Sequence, residues 1–266
     1  MVQVAHGIEN KTEIARSIQR ARARLLQMHF ESGVGHIGGN LSCLDLMMIT
    51  HHRVMQPEDR FLLSKGHAAG ALYITLWSLG ILQDEDLRLF HRDGAKLSGH
   101  PAPHFLPQIP FATGSLGHGL SLASGLALGK QLVNAPGRIY CLLSDGEWQE
   151  GSTWEALLFA QRHQLPLTFL IDTNGLQGFG TTWEVAGQGP LTAKLRAFGV
   201  KTREIDGHDL QEIEDALCSE DGGLIAIVAR TRKGQGVSYM QDRMEWHYLP
   251  MSPEQYAMAH REVLEA

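Results

Sequence analysis

Two apolar runs, each ending in a polar, glycine-containing loop, constrain this chain more than any other feature. Ser144-Asp145-Gly146 closes the first and Asp172-Thr173-Asn174-Gly175 closes the second. The runs Arg138 to Ser144 and Leu165 to Asp172 predict buried strands, and the stretch between them, Ser152 to His163, predicts a helix. Strands joined by such a crossover are parallel, so both loops emerge at the same sheet edge, where open α/β sheets bind ligands. The Asp145 carboxylate and the Asn174 amide oxygen are hard donors suited to Mg2+ or Ca2+. A metal that shares its other positions with phosphates needs few protein ligands, and the carbonyl of Leu176 is the candidate third. Asp172 reads instead as a turn or helix cap.

The rest of the chain repeats this alternation. Residues 11 to 30 predict an amphipathic helix carrying Ile14, Ile18, Ala21, Leu25 and Met28, and a second helix is predicted from Cys43 to His52. Phe61 to Ser64 reads as a short strand, followed by a helix opening at Gly66-His67 and running toward Leu79. Gly99 to Gly119 reads as loop, Leu120 to Leu132 as helix, Lys201 to Ile205 and Leu224 to Ala229 as strands, and Leu210 to Cys218 as the helix between them. The expected fold is α/β: a parallel sheet covered by helices on both faces. A hydrophobic content of 43 % over 266 residues supports one domain. An N-terminal helical extension (1–58) and a C-terminal tail (237–266) are predicted to flank it, the tail becoming helical from Pro253.

Composition narrows the class. No apolar run approaches a membrane span, and Met1 to Gly7 lacks the pattern of a signal peptide, so a cytoplasmic protein is expected. The net charge of −6 gives no footprint for nucleic acid. Arg16, Arg20, Arg22 and Arg24 cluster on the first helix, where a solvated face or a protein contact is expected. Cys43, Cys141 and Cys218 are too few and too far apart for a disulfide framework or thiolate zinc site and read as buried thiols.

Thr113-Gly114-Ser115-Leu116-Gly117-His118-Gly119 places glycines before a helix, where free backbone N–H groups can cradle a phosphate. Alone, such a loop is more often a tight turn. His36, His67, His100 and His247 stand in glycine-flanked or irregular segments, each able to bond phosphate or sugar oxygens and pass protons. Singly each reads as an ordinary loop histidine; their joint placement at strand-helix junctions raises the functional reading. No H-E-x-x-H spacing supports zinc. His29, His51, His52 and His163 read as structural. Glu150 fits the acidic first turn of a helix, and Trp148, Trp154 and Trp183 read as packing residues.

Together these segments resemble the N-terminal, diphosphate-binding half of transketolase, from about residue 11 to 250. Ser32 to Gly39, Leu63 to Ala68, Ser98 to Pro101, Thr113 to Gly119, Ser144 to Gly151, Ile205 to Asp209, Thr231 to Gly236 and Trp246-His247 stand in the family's order. The resemblance implies the thiamine diphosphate-binding fold, with that cofactor and Mg2+, Ca2+ or another divalent cation. Asp145, Asn174 and the Leu176 carbonyl would hold the metal; Gly146 and His67 would lie near the diphosphate, and Gly114 and Leu116 near the aminopyrimidine. His36, His100 and His247 would act on the substrate, His247 also bordering the cofactor, as would Glu150. Ser144 departs from the family's usual glycine, which bears on one backbone contact to the diphosphate.

The resemblance implies transfer of a two-carbon ketol unit from a ketose, usually phosphorylated, to an aldose. The glutamate that activates the aminopyrimidine belongs to a second domain. The chain is therefore expected to be the N-terminal subunit of a split transketolase, active only with a C-terminal, pyrimidine-binding subunit in an α2β2 assembly. The alternatives are the α-type subunit of a 2-oxo acid dehydrogenase and a noncatalytic thiamine diphosphate-binding partner protein.

Overall fold

The inner strands are buried at nearly every position, and because successive side chains point to opposite faces they feed two separate cores on either side of one sheet. The computed structural model describes residues 10–103, 105–187, 189–218 and 222–265; the first nine residues of the predicted N-terminal extension lie outside them. In chain order the elements are α1 (Lys11–Ser32), α2 (Ile37–Ile49), a π-turn (Thr50–Val54), β1 (Arg60–Leu63), a 3-10 turn (Gly66–Ala68), α3 (Ala69–Ser78) and α4 (Asp84–Arg88). Then come α5 (Gly119–Leu132), β2 (Ile139–Ser144), a 3-10 turn (Gly146–Gln149), α6 (Gly151–His163), β3 (Leu167–Thr173), α7 (Thr182–Ala186) and α8 (Leu191–Ala197). The chain continues through β4 (Lys201–Asp206), α9 (Leu210–Leu217), β5 (Ile225–Arg230), a 3-10 turn (Met244–His247) and α10 (Pro253–Glu265).

The sheet order is β1-β2-β3-β5-β4, and every neighbouring pair is parallel. Leu63, Tyr140, Leu142, Leu170 and Ile227 face the larger core, which takes in apolar residues of α1, α2, α3, α9 and α10. Leu62, Cys141, Leu143, Phe169, Ile171 and Val228 face the smaller one, with residues of α5, α6 and α8. The edge strand β4 buries only Ile205 and presents Lys201, Glu204 and Asp206, charges that discourage pairing with another chain.

Helix α1 is capped by Asn10, whose side chain accepts from the Thr12 N–H, and closes at Gly33 in the left-handed region. It packs into the main core, and α10 lies along it with Tyr256 stacked on Phe30, ring centroids 4.4 Å apart. Of the arginine cluster, Arg16 and Arg20 are exposed, whereas Arg22 pairs with Asp45 at 2.6 Å and Arg24 with Asp84 at 2.9 Å.

Several sequence expectations change. Helix α2 begins at Ile37, not Cys43, because Gly38 and Gly39 lie in its first turn; a Cβ on Gly38 would sit 3.1 Å from both Lys233 Cγ and Trp246 Cβ, so this glycine permits close packing. The helix gives way to the π-turn at Thr50 before His52. The short α4, α7 and α8 have too few turns for periodicity to reveal. Cys218 is exposed, unlike Cys43 and Cys141, and Trp183 is 67 % exposed rather than packed.

Candidate active site

The parallel register sets the site. Ser144 pairs with Asp172, and the ladder continues one step further as Asp145 N–H donates to Asp172 O at 3.1 Å. Asp145 therefore stands just past the C-terminal edge, beside the loop after β3. Its Oδ1 accepts from Gly146 N at 2.8 Å and its Oδ2 from Gly175 N at 2.7 Å. Gly175 has φ 74°, a left-handed conformation that glycine adopts without strain. Asn174 Oδ1 accepts from Leu176 N at 3.1 Å. Burial, and then the Asp172 charge, push the Asp145 carboxyl up to about 7. An adjacent cation favours the carboxylate form, so this oxygen set of carboxylate, amide and carbonyl is chemically suited to a hard divalent ion. No group of three His, Cys, Asp or Glu side chains is placed to hold a metal among the described residues.

Asp172 is not a cap. It is fully buried and paired with Lys65 Nζ, and it also accepts from Ser42 Oγ at 2.6 Å and from Thr231 Oγ1. Burial opposes both charges, but the pair prevails: Asp172 is held below the usual carboxylate range and Lys65 above the usual ammonium range. Lys65 also donates to Gly39 O at 3.0 Å, joining α2 to the sheet edge.

A cavity of about 440 Å3 opens above this floor. All the candidate residues line it: His36, His67, His100, Gly114, Leu116, Asp145, Gly146, Glu150, Asn174, Leu176 and His247. Ring centroids of His36 lie 5.7, 6.3 and 5.2 Å from those of His67, His100 and His247, and His67 lies 5.4 Å from His247. His36 caps α2 with φ 64°; its N–H donates to His247 O at 3.2 Å, and its carbonyl accepts from Asn40 Nδ2 at 2.8 Å. Gly114 has φ 145°, and a Cβ there would lie 2.7 Å from His100 Cδ2. Glycine is therefore what lets the 113–119 loop pass this close to the imidazole.

The four rings are held neutral. Burial lowers His36 and His100, His36 further through His100. Burial and the Lys65 charge take His67 well below its ordinary value, and burial and Lys233 bring His247 to about 3. Lys233 Nζ lies 3.1 Å from His247 Nδ1, and burial with the Lys65 charge brings its ammonium down to about 8. At neutral pH Lys233 thus donates to Nδ1, which leaves the imidazole proton on Nε2.

Sequence reasoning assigned no role to Lys65, Glu147, Gln149, Gln177, Phe179, Lys233 or Tyr248. All but Glu147 line the cavity. Lys65, Glu147, Gln149 and Lys233 stand inside segments quoted for the resemblance, and that placement was the available signal. The rim is apolar and open, with Phe179 85 % and Tyr248 52 % exposed.

Comparisons with known proteins identify the family. Residues 16–263 match the family described as "Transketolase, thiamine diphosphate binding domain". The chain is 36 % identical over 260 residues to one of the subunits of the apulose-4-phosphate transketolase of Phocaeicola vulgatus, covering 93 % of this chain and 92 % of the relative. It is 37 % identical over 240 residues to a 6-deoxy-6-sulfo-D-fructose transketolase subunit of a Clostridium species, covering 85 % and 87 %. Among solved structures, transketolase from Campylobacter jejuni superposes with a TM-score of 0.84 at 28 % identity, covering 94 % of this chain and 42 % of that one. The transketolase of Leishmania mexicana shares the fold, with a TM-score of 0.86. The chain thus spans less than half the length of those solved enzymes but nearly the whole length of the curated subunits. These matches favour the transketolase reading over the 2-oxo acid dehydrogenase alternative. No helix among the described residues is long and apolar enough to cross a membrane. By fold, site and relatives, the chain belongs to the transketolase family, as its thiamine diphosphate-binding domain.

Proposed function

We propose that this chain is the diphosphate-binding subunit of a two-chain transketolase, which moves a two-carbon ketol unit between sugar phosphates once a pyrimidine-binding subunit closes the site in an α2β2 assembly. The observation that carries the reading is the convergence of Asp145, Asn174, Leu176 and four histidines on one cavity with an exposed apolar rim. Asp145, Asn174 and the Leu176 carbonyl would hold Mg2+ or Ca2+. Gly146 and His67 would meet the cofactor's diphosphate, Gly114 and Leu116 its aminopyrimidine, and Glu150 and His247 its flank. Bound thiamine diphosphate would supply the carbanion chemistry, and the protein the positioning and proton transfers.

His100, His36 and His247 then act on sugar oxygens as neutral imidazoles, each able to donate from one nitrogen and accept at the other. Lys233 fixes His247 in the Nε2-H tautomer, so the same nitrogen is the donor in each turnover. The relatives named for apulose-4-phosphate and sulfofructose support a ketose donor bearing an anionic group.

The test has two parts. Calorimetry should show thiamine diphosphate binding that requires Mg2+ and is lost in Asp145→Ala. Mixing the chain with a pyrimidine-binding transketolase subunit should produce ketol transfer from a phosphorylated ketose. Metal-dependent binding without turnover in that complex would instead favour the noncatalytic reading.

A further inference from the structure

Glu147 is fully buried, does not line the cavity, and joins three loops that do. Its Oε1 accepts from Ser64 Oγ, at the end of β1, and from Gly117 N at 3.2 Å, in the loop before α5. Its Oε2 accepts from Ser144 N at 2.9 Å, with Ser144 Oγ at 3.4 Å, at the end of β2. Each partner sits within three residues of a proposed cofactor or metal contact: Ser64 before His67, Gly117 beside Leu116 and Gly114, Ser144 beside Asp145 and Gly146.

The loops have little other room. A Cβ on Gly119 would lie 2.1 Å from Ser64 Oγ, and one on Gly66 would lie 2.6 Å from Thr113 O. Behind the carboxylate, Thr153 Oγ1 donates to the Glu147 carbonyl at 2.7 Å and ties it to α6. Ser144, at the position where the family usually has glycine, is thus part of this arrangement through its backbone N–H.

Resting on the cofactor reading above, we infer that Glu147 is a positioning residue, a carboxylate clasp that holds the three diphosphate-side loops in register so that their backbone groups and His67 meet one ligand. The chemistry requires a carboxylate. Its two oxygens face two backbone N–H groups and two hydroxyls, all able to donate. A glutamine side chain in either orientation would set its own NH2 against one of those buried N–H groups.

The experiment uses the full chain, alone and with its pyrimidine-binding subunit, carrying Glu147→Gln. In the ligand-free chain, hydrogen exchange at 113–119 and 144–146 should accelerate about tenfold or more while β3 and β5 keep their protection. The Kd for thiamine diphosphate with Mg2+ should rise about tenfold or more, the scale seen when partners of site-forming groups are removed. A Kd within about twofold of the unmodified chain, or unchanged exchange in those loops, overturns the clasp, as does uniformly faster exchange with unchanged affinity. Should the unmodified chain bind no thiamine diphosphate either alone or with its pyrimidine-binding subunit, the cofactor reading fails and the exchange measurement alone decides the clasp. Should Glu147→Gln not fold, Ser64→Ala replaces it: removing one bond should accelerate exchange at Gly117 and weaken binding about threefold, and no change in either overturns the inference.

Discussion

The floor of the cavity and its mouth are built on opposite principles. Lys65 on the floor, and Glu147 and Asp172 directly beneath it, are buried at 1 % exposure or less, and each polar end is matched within the chain. Phe179, Tyr248, Val185 and Leu116 at the mouth are between 37 % and 85 % exposed. Apolar side chains gathered around a polar cavity mark a surface that another molecule covers. The contrast teaches that the floor is complete within this chain, whereas the mouth leaves apolar side chains uncovered, as the proposed two-chain reading expects.

The largest effect expected from that difference is in activity. The isolated chain should show ketol transfer at least about 10^3-fold below that of the complex with a pyrimidine-binding subunit, since on the proposed reading that subunit would bring an activating acid or base. Steady-state assays with and without the subunit decide it, and comparable rates would erase the distinction between floor and mouth.

The next test concerns the floor. Lys65→Ala leaves the Asp172 carboxylate buried without its cation, so the chain should lose about 3–5 kcal/mol of stability. For a chain of this size that is a melting temperature lower by roughly 10 °C, read by calorimetry without ligand. A change of only a degree or two would mean that the floor is not held by this pair.

How much of this was legible in the sequence follows the same division. The strands were readable because Ile139 to Ser144 and Leu167 to Asp172 are apolar runs ending in turn residues. Asp145, Asn174 and the histidines were readable because their spacing and glycine neighbours carry a family pattern. The floor's connections were hidden, since Lys65 and Asp172 are 107 residues apart and Ser64 and Glu147 are 83 apart. Only the sheet register brings them together, and Asp172 accordingly read as a turn cap. The start of α2 was hidden for a related reason: Gly38 looks like a loop residue until Trp246 and Lys233 are seen packed on it.

Acid should reveal whether burial like that of the floor extends beneath α2. Burial holds His52, in the π-turn, down to about 4, against 6.5 in an unfolded chain. Between those values the unfolded state binds the extra proton, so the stability this group contributes is complete above pH 6.5 and is lost as pH falls toward 4. The loss by pH 5 is on the order of 2 kcal/mol. Asp145, raised to about 7, pulls the opposite way over part of that range, so the informative quantity is a difference. The fall in urea-unfolding stability from pH 7 to pH 5 should be smaller by about that amount in His52→Gln than in the unmodified chain. Equal falls would show that His52 titrates normally.

The smallest effect on folding belongs to the mouth, and there it is most telling. Phe179→Ser removes a side chain that is 85 % exposed, so folding stability should stay within about 0.5 kcal/mol of the unmodified chain. If the rim is where the second subunit docks, the same substitution should weaken the complex about tenfold, because exposed aromatic residues become anchors when a partner buries them. Titration of the two subunits by calorimetry separates the cases. Unchanged affinity would leave the rim outside the interface, and the partner's approach would then have to be sought on another face of the cavity wall.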